Sequence, residues 1–230
     1  MTSNRFATAA ALTIGCALFN PVAALAEPSN ITFAAHRAIY ELAIDTTSPG
    51  SGVSGIGGRI VYELTGSTCE GFTQNMRFVT VTTGSEGGSQ TTDLRTSSWE
   101  HFPADKLRFS SSTYQNDALT EQARGTALRA TAQEAPVVEL AKPEKKTFTI
   151  ASPVYYPMQH STALIQAARS GKTHFSADLY DGSENGTKVY TTSALIGQRM
   201  APGVRSIKAL TGQKAGSTLD AVSSWPVSIS

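Results

Sequence analysis

From Ala34 onward the chain alternates apolar and polar residues with the period of a β-strand, and each run ends in a cluster of turn residues. Ala34, His36, Ala38, Tyr40, Leu42 and Ile44 fall on one face of a first strand, with Arg37 and Glu41 on the other. Ser48-Pro49-Gly50-Ser51-Gly52 ends that run as a turn. Residues 59–65 then align Ile60, Tyr62 and Leu64. Past Gly66, a third run puts Phe72, Met76 and Phe78 on one side, and residues 84–88 close the hairpin. The same pattern predicts strands over 91–101, 107–114, 119–130, 137–140 and 146–151. Short loops make successive strands antiparallel neighbours. The fold class that follows is mainly β: a long antiparallel sheet curled into a spiral or open barrel.

One segment departs from this period. Residues 158–170 carry Ala163, Leu164, Ala167 and Ala168 at helical spacing, begin after Pro157 and end at Gly171, a residue suited to a helix C-cap. A single short α-helix is predicted there, with its Leu164 face turned to the sheet. Strands resume over 173–180 and 188–196 around a turn at Asp181-Gly182. Trp225-Pro226-Val227-Ser228-Ile229-Ser230 alternates like a strand in progress, so the domain is expected to be incomplete at its C-terminus.

Composition narrows the partners. Nineteen Lys and Arg stand against eighteen Asp and Glu, a formal charge of +1, and there is no dense basic run able to neutralise phosphates, which argues against nucleic acid. Only 16% of residues are charged while Ser, Thr and Gly are plentiful, which suits a sheet with a hydroxyl-rich polar face. The N-terminus reads as a secretory signal over residues 1–26. Arg5 supplies the positive region, residues 6–19 an uncharged apolar stretch, and Ala24-Leu25-Ala26 the cleavage site ahead of Glu27. Asn20 and Pro21 break the apolar run too early for a membrane span. Residues 27–230 are then expected to form a single exported, β-rich envelope domain, with no transmembrane segment after cleavage.

Two cysteines are present. Ile14-Gly15-Cys16 has the small residue of a lipid-attachment motif, but Thr13 stands where Leu is needed. Cleavage after Ala26 removes Cys16 and leaves Cys69 as the lone thiol of the mature chain. Two readings of Cys69 stay open: a buried small hydrophobe, or half of a disulfide whose partner lies beyond Ser230.

The search for chemistry returns near misses. Gly50-Ser51-Gly52-Val53-Ser54-Gly55 matches a dinucleotide fingerprint by letter, but a strand follows it, so it reads as a flexible hairpin loop. Gly171-Lys172-Thr173 resembles the end of a phosphate-binding loop, yet its glycine closes a helix. Gly52-Val53-Ser54-Gly55-Ile56 lacks the last glycine of a nucleophile elbow. His36, His101, His160 and His174 have no metal-ligand spacing. Asp178 and Asp181 flank Tyr180 as turn and strand-end acids. No catalytic residue, cofactor site or metal site is predicted.

Five motifs occur in order: Ala35-His36-Arg37-Ala38-Ile39-Tyr40, Gly58-Arg59-Ile60-Val61-Tyr62-Glu63, Cys69-Glu70-Gly71-Phe72, Tyr180-Asp181-Gly182-Ser183 and Ser224-Trp225-Pro226-Val227-Ser228. Together they resemble the EipB family of cell-envelope integrity proteins, over residues 31–230. The resemblance implies a periplasmic protein of alphaproteobacterial type, with a sheet wound into a spiral or open barrel like that of lipoprotein carriers, and no known enzymatic activity. It also implies a disulfide from Cys69 to a cysteine near the family's C-terminus, which this sequence does not contain. Two functions follow as expectations. One is a non-catalytic module supporting envelope integrity, with an apolar ligand, a lipid or lipoprotein, or an envelope protein as partner. The alternative is an enzyme acting on an envelope polymer or lipid. An apolar interior favours the first, and a buried carboxylate pair the second.

Overall fold

The alternation has a direct structural consequence: each strand presents one apolar face, and successive hairpins bring those faces side by side. The computed structural model describes residues 31–48, 50–102, 104–151, 154–204 and 210–230. The signal peptide read over residues 1–26, including Cys16, lies outside them. Eight strands run in chain order as an antiparallel meander: β1 (His36–Ala43), β2 (Val53–Ser67), β3 (Gly71–Gly84), β4 (Ser89–Glu100), β5 (Lys106–Gln115), β6 (Ala118–Leu128), β7 (Val137–Lys142) and β8 (Lys146–Thr149). Among the described residues β1 and β8 do not pair, so the sheet curls without closing. Right-handed twist accumulated over eight strands produces such a curl.

Register places Tyr62, Met76, Thr96 and Ser111 on one transverse row, with Leu64, Gln74, Ser98 and Phe109 beside it. This is the concave face, and it carries the apolar positions that the period picks out. Leu107, Phe109, Ala127, Val138 and Leu140 are buried there against Tyr156 and Tyr180.

A second sheet covers part of this face. It has the order β11 (Val227–Ile229), β10 (Tyr190–Ile196), β9 (His174–Leu179), and it follows the helix α1 (Pro157–Arg169). Met158 of α1 packs on Leu64 and Phe72 of the large sheet. Ala167 and Ala168 pack on Ile196 of the small one, with Leu164, Phe175 and Trp225 half-buried around them. Ala168 and Ala167 accept the amide hydrogens of Gly171 and Lys172 at 3.1 and 3.0 Å, the Schellman pattern, and Gly171 takes the positive φ of 74° that the pattern needs.

Two differences from the sequence reading have plain causes. β2 begins at Val53, so the segment read as a loop through Gly55 is already strand. The long β3 offers it a ladder as far as Gly84, which outweighs the weak strand propensity of its glycines. A further seven-residue helix, α2 (Lys214–Asp220), forms where Gly216, Ser217 and Thr218 give little helical signal. Among the described residues no helix is long and apolar enough to cross a membrane.

Candidate functional site

Between the concave face and the second sheet lies a cavity of about 500 Å³. Its floor comes from alternate residues of β2 to β6. Tyr62, Met76, Leu94 and Phe109 supply apolar surface, while Thr96, Ser98, Ser111 and Thr113 supply hydroxyls. Tyr62 donates to Gln74 Oε1 at 3.3 Å, and burial pushes its phenol upward. Glu121, Asp181 and Glu184 line the cavity where it meets solvent.

The roof is Leu179, Asp181-Gly182-Ser183 and Glu184, which opens a 3-10 turn at Glu184–Gly186. The fully buried Tyr180 donates to the Gly186 carbonyl at 2.7 Å and meets Phe109 edge-on, ring centres 5.8 Å apart. Gly182 lies directly on the Phe109 ring with φ of 77°. A Cβ there would occupy the ring's own space, so only glycine lets the roof sit this low. Asp181 Oδ1 accepts the Ser183 amide at 2.9 Å and tightens the turn. At the rim, Glu184 accepts from Lys188 at 2.8 Å and from Tyr190 at 2.8 Å, contacts that hold its carboxyl below the ordinary range.

A buried polar latch fixes α1 over the floor. The helix begins after Tyr156, which has no short polar side chain to satisfy the first amides. Glu100, at the end of β4 and 2% exposed, reaches across and accepts Met158 N–H at 2.7 Å and Gln159 N–H at 3.0 Å. A carboxylate at a helix N-terminus is electrostatically favoured. Burial nevertheless dominates, and the carboxyl is pushed up to about 7 against the pull of the two amides and Arg129. Arg129 ties the same corner together. It donates to the Ala104 carbonyl at 2.7 Å, the Val154 carbonyl at 2.8 Å and Gln159 Oε1 at 2.9 Å, and its Cζ lies over the Tyr156 ring, 4.0 Å from the centre.

Of the residues weighed from sequence, Cys69 sits in the turn between β2 and β3 as an exposed free thiol. Its reading as a buried hydrophobe is therefore corrected: the turn lifts it off the sheet, away from the Phe72 that follows three residues later and enters the core. The four histidines are not brought together. His160 is buried and bonded to Thr192 Oγ1 at 2.8 Å, His101 meets Asp105 at 2.6 Å, His36 contacts the Ala34 carbonyl at 2.8 Å, and His174 lies at the start of β9. Asp178 accepts from Thr191 at 2.7 Å, a strand-pairing contact. Among the described residues no group of His, Cys, Asp or Glu is placed to hold a metal ion. Glu100 and Arg129 escaped the sequence reading, although one signal was available. Glu100 shares the inward parity of Leu94, Thr96 and Ser98, and a carboxylate on that side must find donors.

The EipB-like family profile matches residues 27–230. The chain belongs to the EipB-like family. It is 34% identical over 200 residues to the cell envelope integrity protein EipB of Brucella abortus (strain 2308), an alignment covering 86% of this chain and 70% of that one. It also superposes on the crystal structure of a β-barrel-like protein of a domain of unknown function from Brucella abortus. The TM-score there is 0.74 with 32% identity, over 85% of this chain and 79% of the other. In this EipB-like chain the motifs have distinct structural places. Tyr180-Asp181-Gly182-Ser183 supplies three roof residues, Asp181 to Ser183, Gly58–Glu63 carries Tyr62 of the floor, and Ser224–Ser228 leads into β11.

Proposed function

We propose that the chain is an exported, periplasmic, non-catalytic protein that supports envelope integrity by holding the apolar part of an amphiphile in its concave cavity. The observation that carries this reading is the lining: aromatic and aliphatic side chains interleaved with hydroxyls, in a volume typical of small-molecule sites. A catalytic reading would need converging groups. The buried carboxyl on the inward side of β4, Glu100, already serves two helix amides, and Asp181 and Asp178 serve a turn and a strand pair. The cleavage motif ahead of Glu27 and the start of the family match at residue 27 support export, and the name of the Brucella relative supports an envelope role.

The test is native mass spectrometry of the protein purified without denaturant from envelope fractions, followed by organic extraction of any adduct. The reading expects an amphiphile on the wild type that is lost in Ser98→Trp, where an indole fills the cavity floor. A ligand-free wild type, or an adduct indifferent to Ser98→Trp, would overturn it.

A further inference from the structure

The convex face of the same sheet has a feature that carriage of an apolar ligand does not use. A groove of about 770 Å³ crosses β4 to β8 and is lined by Arg108, Arg124, Lys145 and Lys146, with Glu139 as its one carboxylate. Hydroxyls of Ser97, Ser110, Thr126 and Thr147 lie between the cations.

The arginines of this groove differ from their neighbours on the sheet. Arg59 pairs with Glu41 at 2.6 Å, while Arg77 and Arg95 share Asp93 at 2.8 and 2.7 Å. Among the described residues neither Arg108 nor Arg124 forms an ion pair. Register makes them diagonal neighbours, since Arg108 lies opposite Thr126 and Ser110 lies opposite Arg124. Diagonal positions on one sheet face are about 7–8 Å apart, a span that two guanidinium groups close around a single oxyanion. Arg124 also faces Lys142 across β6 and β7, a like-charge pairing that disfavours the empty site.

Arg108 is held ready for such a partner. Its guanidinium lies 5.1 Å from the centre of the Trp99 ring. Trp99 is itself fixed, because its indole N–H donates to the Glu70 carbonyl at 3.1 Å and its ring stacks on His101 at 5.8 Å. A guanidinium held over an aromatic face keeps N–H donors available at its edge, the groups that recognise phosphate by paired hydrogen bonds.

We propose that this convex groove is a second binding site, for a phosphate monoester carried on a polar, hydroxyl-bearing ligand, with Arg108 and Arg124 as its phosphate clamp. Calorimetric titration of the full protein with glycerol 1-phosphate, and separately with phosphatidylcholine vesicles containing phosphatidic acid, tests it at low ionic strength. Arg108→Ala and Arg124→Ala should each weaken binding about tenfold or more, and Arg108→Lys should restore only part of it. Arg37→Ala, on β1 outside the groove, should bind as the wild type does. Arginine-dependent binding of the soluble ester assigns a free ligand, and arginine-dependent binding of the vesicles alone assigns a lipid headgroup. Binding of neither probe, or equal binding by the Arg108→Ala, Arg124→Ala double variant with its circular dichroism unchanged, would overturn the proposal.

Discussion

Glu100 provides a quantitative test of how α1 is held. In the unfolded chain its carboxyl ionises near the ordinary 4.5, whereas burial in the folded protein holds it up at about 7. Between these values the folded state binds more protons than the unfolded one, so raising the pH through the window removes stability. The gap corresponds to about 3 kcal/mol, fully present below 4.5 and lost as the pH passes about 7. Glu100→Gln keeps the shape and one acceptor oxygen but has no proton to lose. Urea unfolding of both proteins from pH 4.5 to pH 8 should show the wild type losing about 3 kcal/mol relative to the variant over that interval. His160, whose ring is pushed below its ordinary range by burial, is common to both proteins and cancels in the difference. Asp93, held down to about 2 by Arg77 and Arg95, titrates below the window. Parallel curves, with a difference that changes by less than about 1 kcal/mol, would refute the burial of Glu100 at the helix terminus.

Gly182→Ala forces a Cβ into the Phe109 ring at a positive φ, so it should destabilise the fold by about 1–3 kcal/mol and speed amide exchange over residues 181–190. Unchanged exchange there would mean that the roof does not rest on Phe109. Leu164→Asp places a charge among Ala167, Ala168, Phe175 and Trp225 and should cost about 2 kcal/mol or more, read as a lowered melting temperature. An unchanged melt would leave α1 as surface decoration.

The strands were readable because a half-buried sheet writes its burial into every second residue. Ile60, Tyr62, Leu64, Phe72, Met76 and Phe78 mark the face in the sequence itself, and two of them, Tyr62 and Met76, line the cavity. Gly171 likewise announces the end of α1, since a helix needs a left-handed residue at that point. What stayed hidden depends on separations that periodicity does not encode. Glu100 reaches amides 58 and 59 positions away, Gly182 rests on Phe109, and Arg108 and Arg124 become diagonal neighbours only through the β5–β6 register. The Asp181-Gly182 turn was visible as a turn, but its role as a roof required the second sheet to fold back onto the first. Val53 to Gly55 misled for the opposite reason. Glycine lowers local strand propensity, and the ladder from β3 supplies from outside what the segment lacks.

The central claim, that the concave cavity buries an apolar chain, predicts a specific dependence on chain length. Each methylene moved out of water contributes about 0.8 kcal/mol, so two methylenes change affinity roughly tenfold. Displacement of a fluorescent fatty acid from the wild-type protein by saturated fatty acids of increasing length should therefore give affinities that climb by about that factor per two carbons until the cavity is full, and Ser98→Trp should bring the plateau at a shorter chain. Affinities independent of chain length, or the same series in Ser98→Trp as in the wild type, would contradict the account.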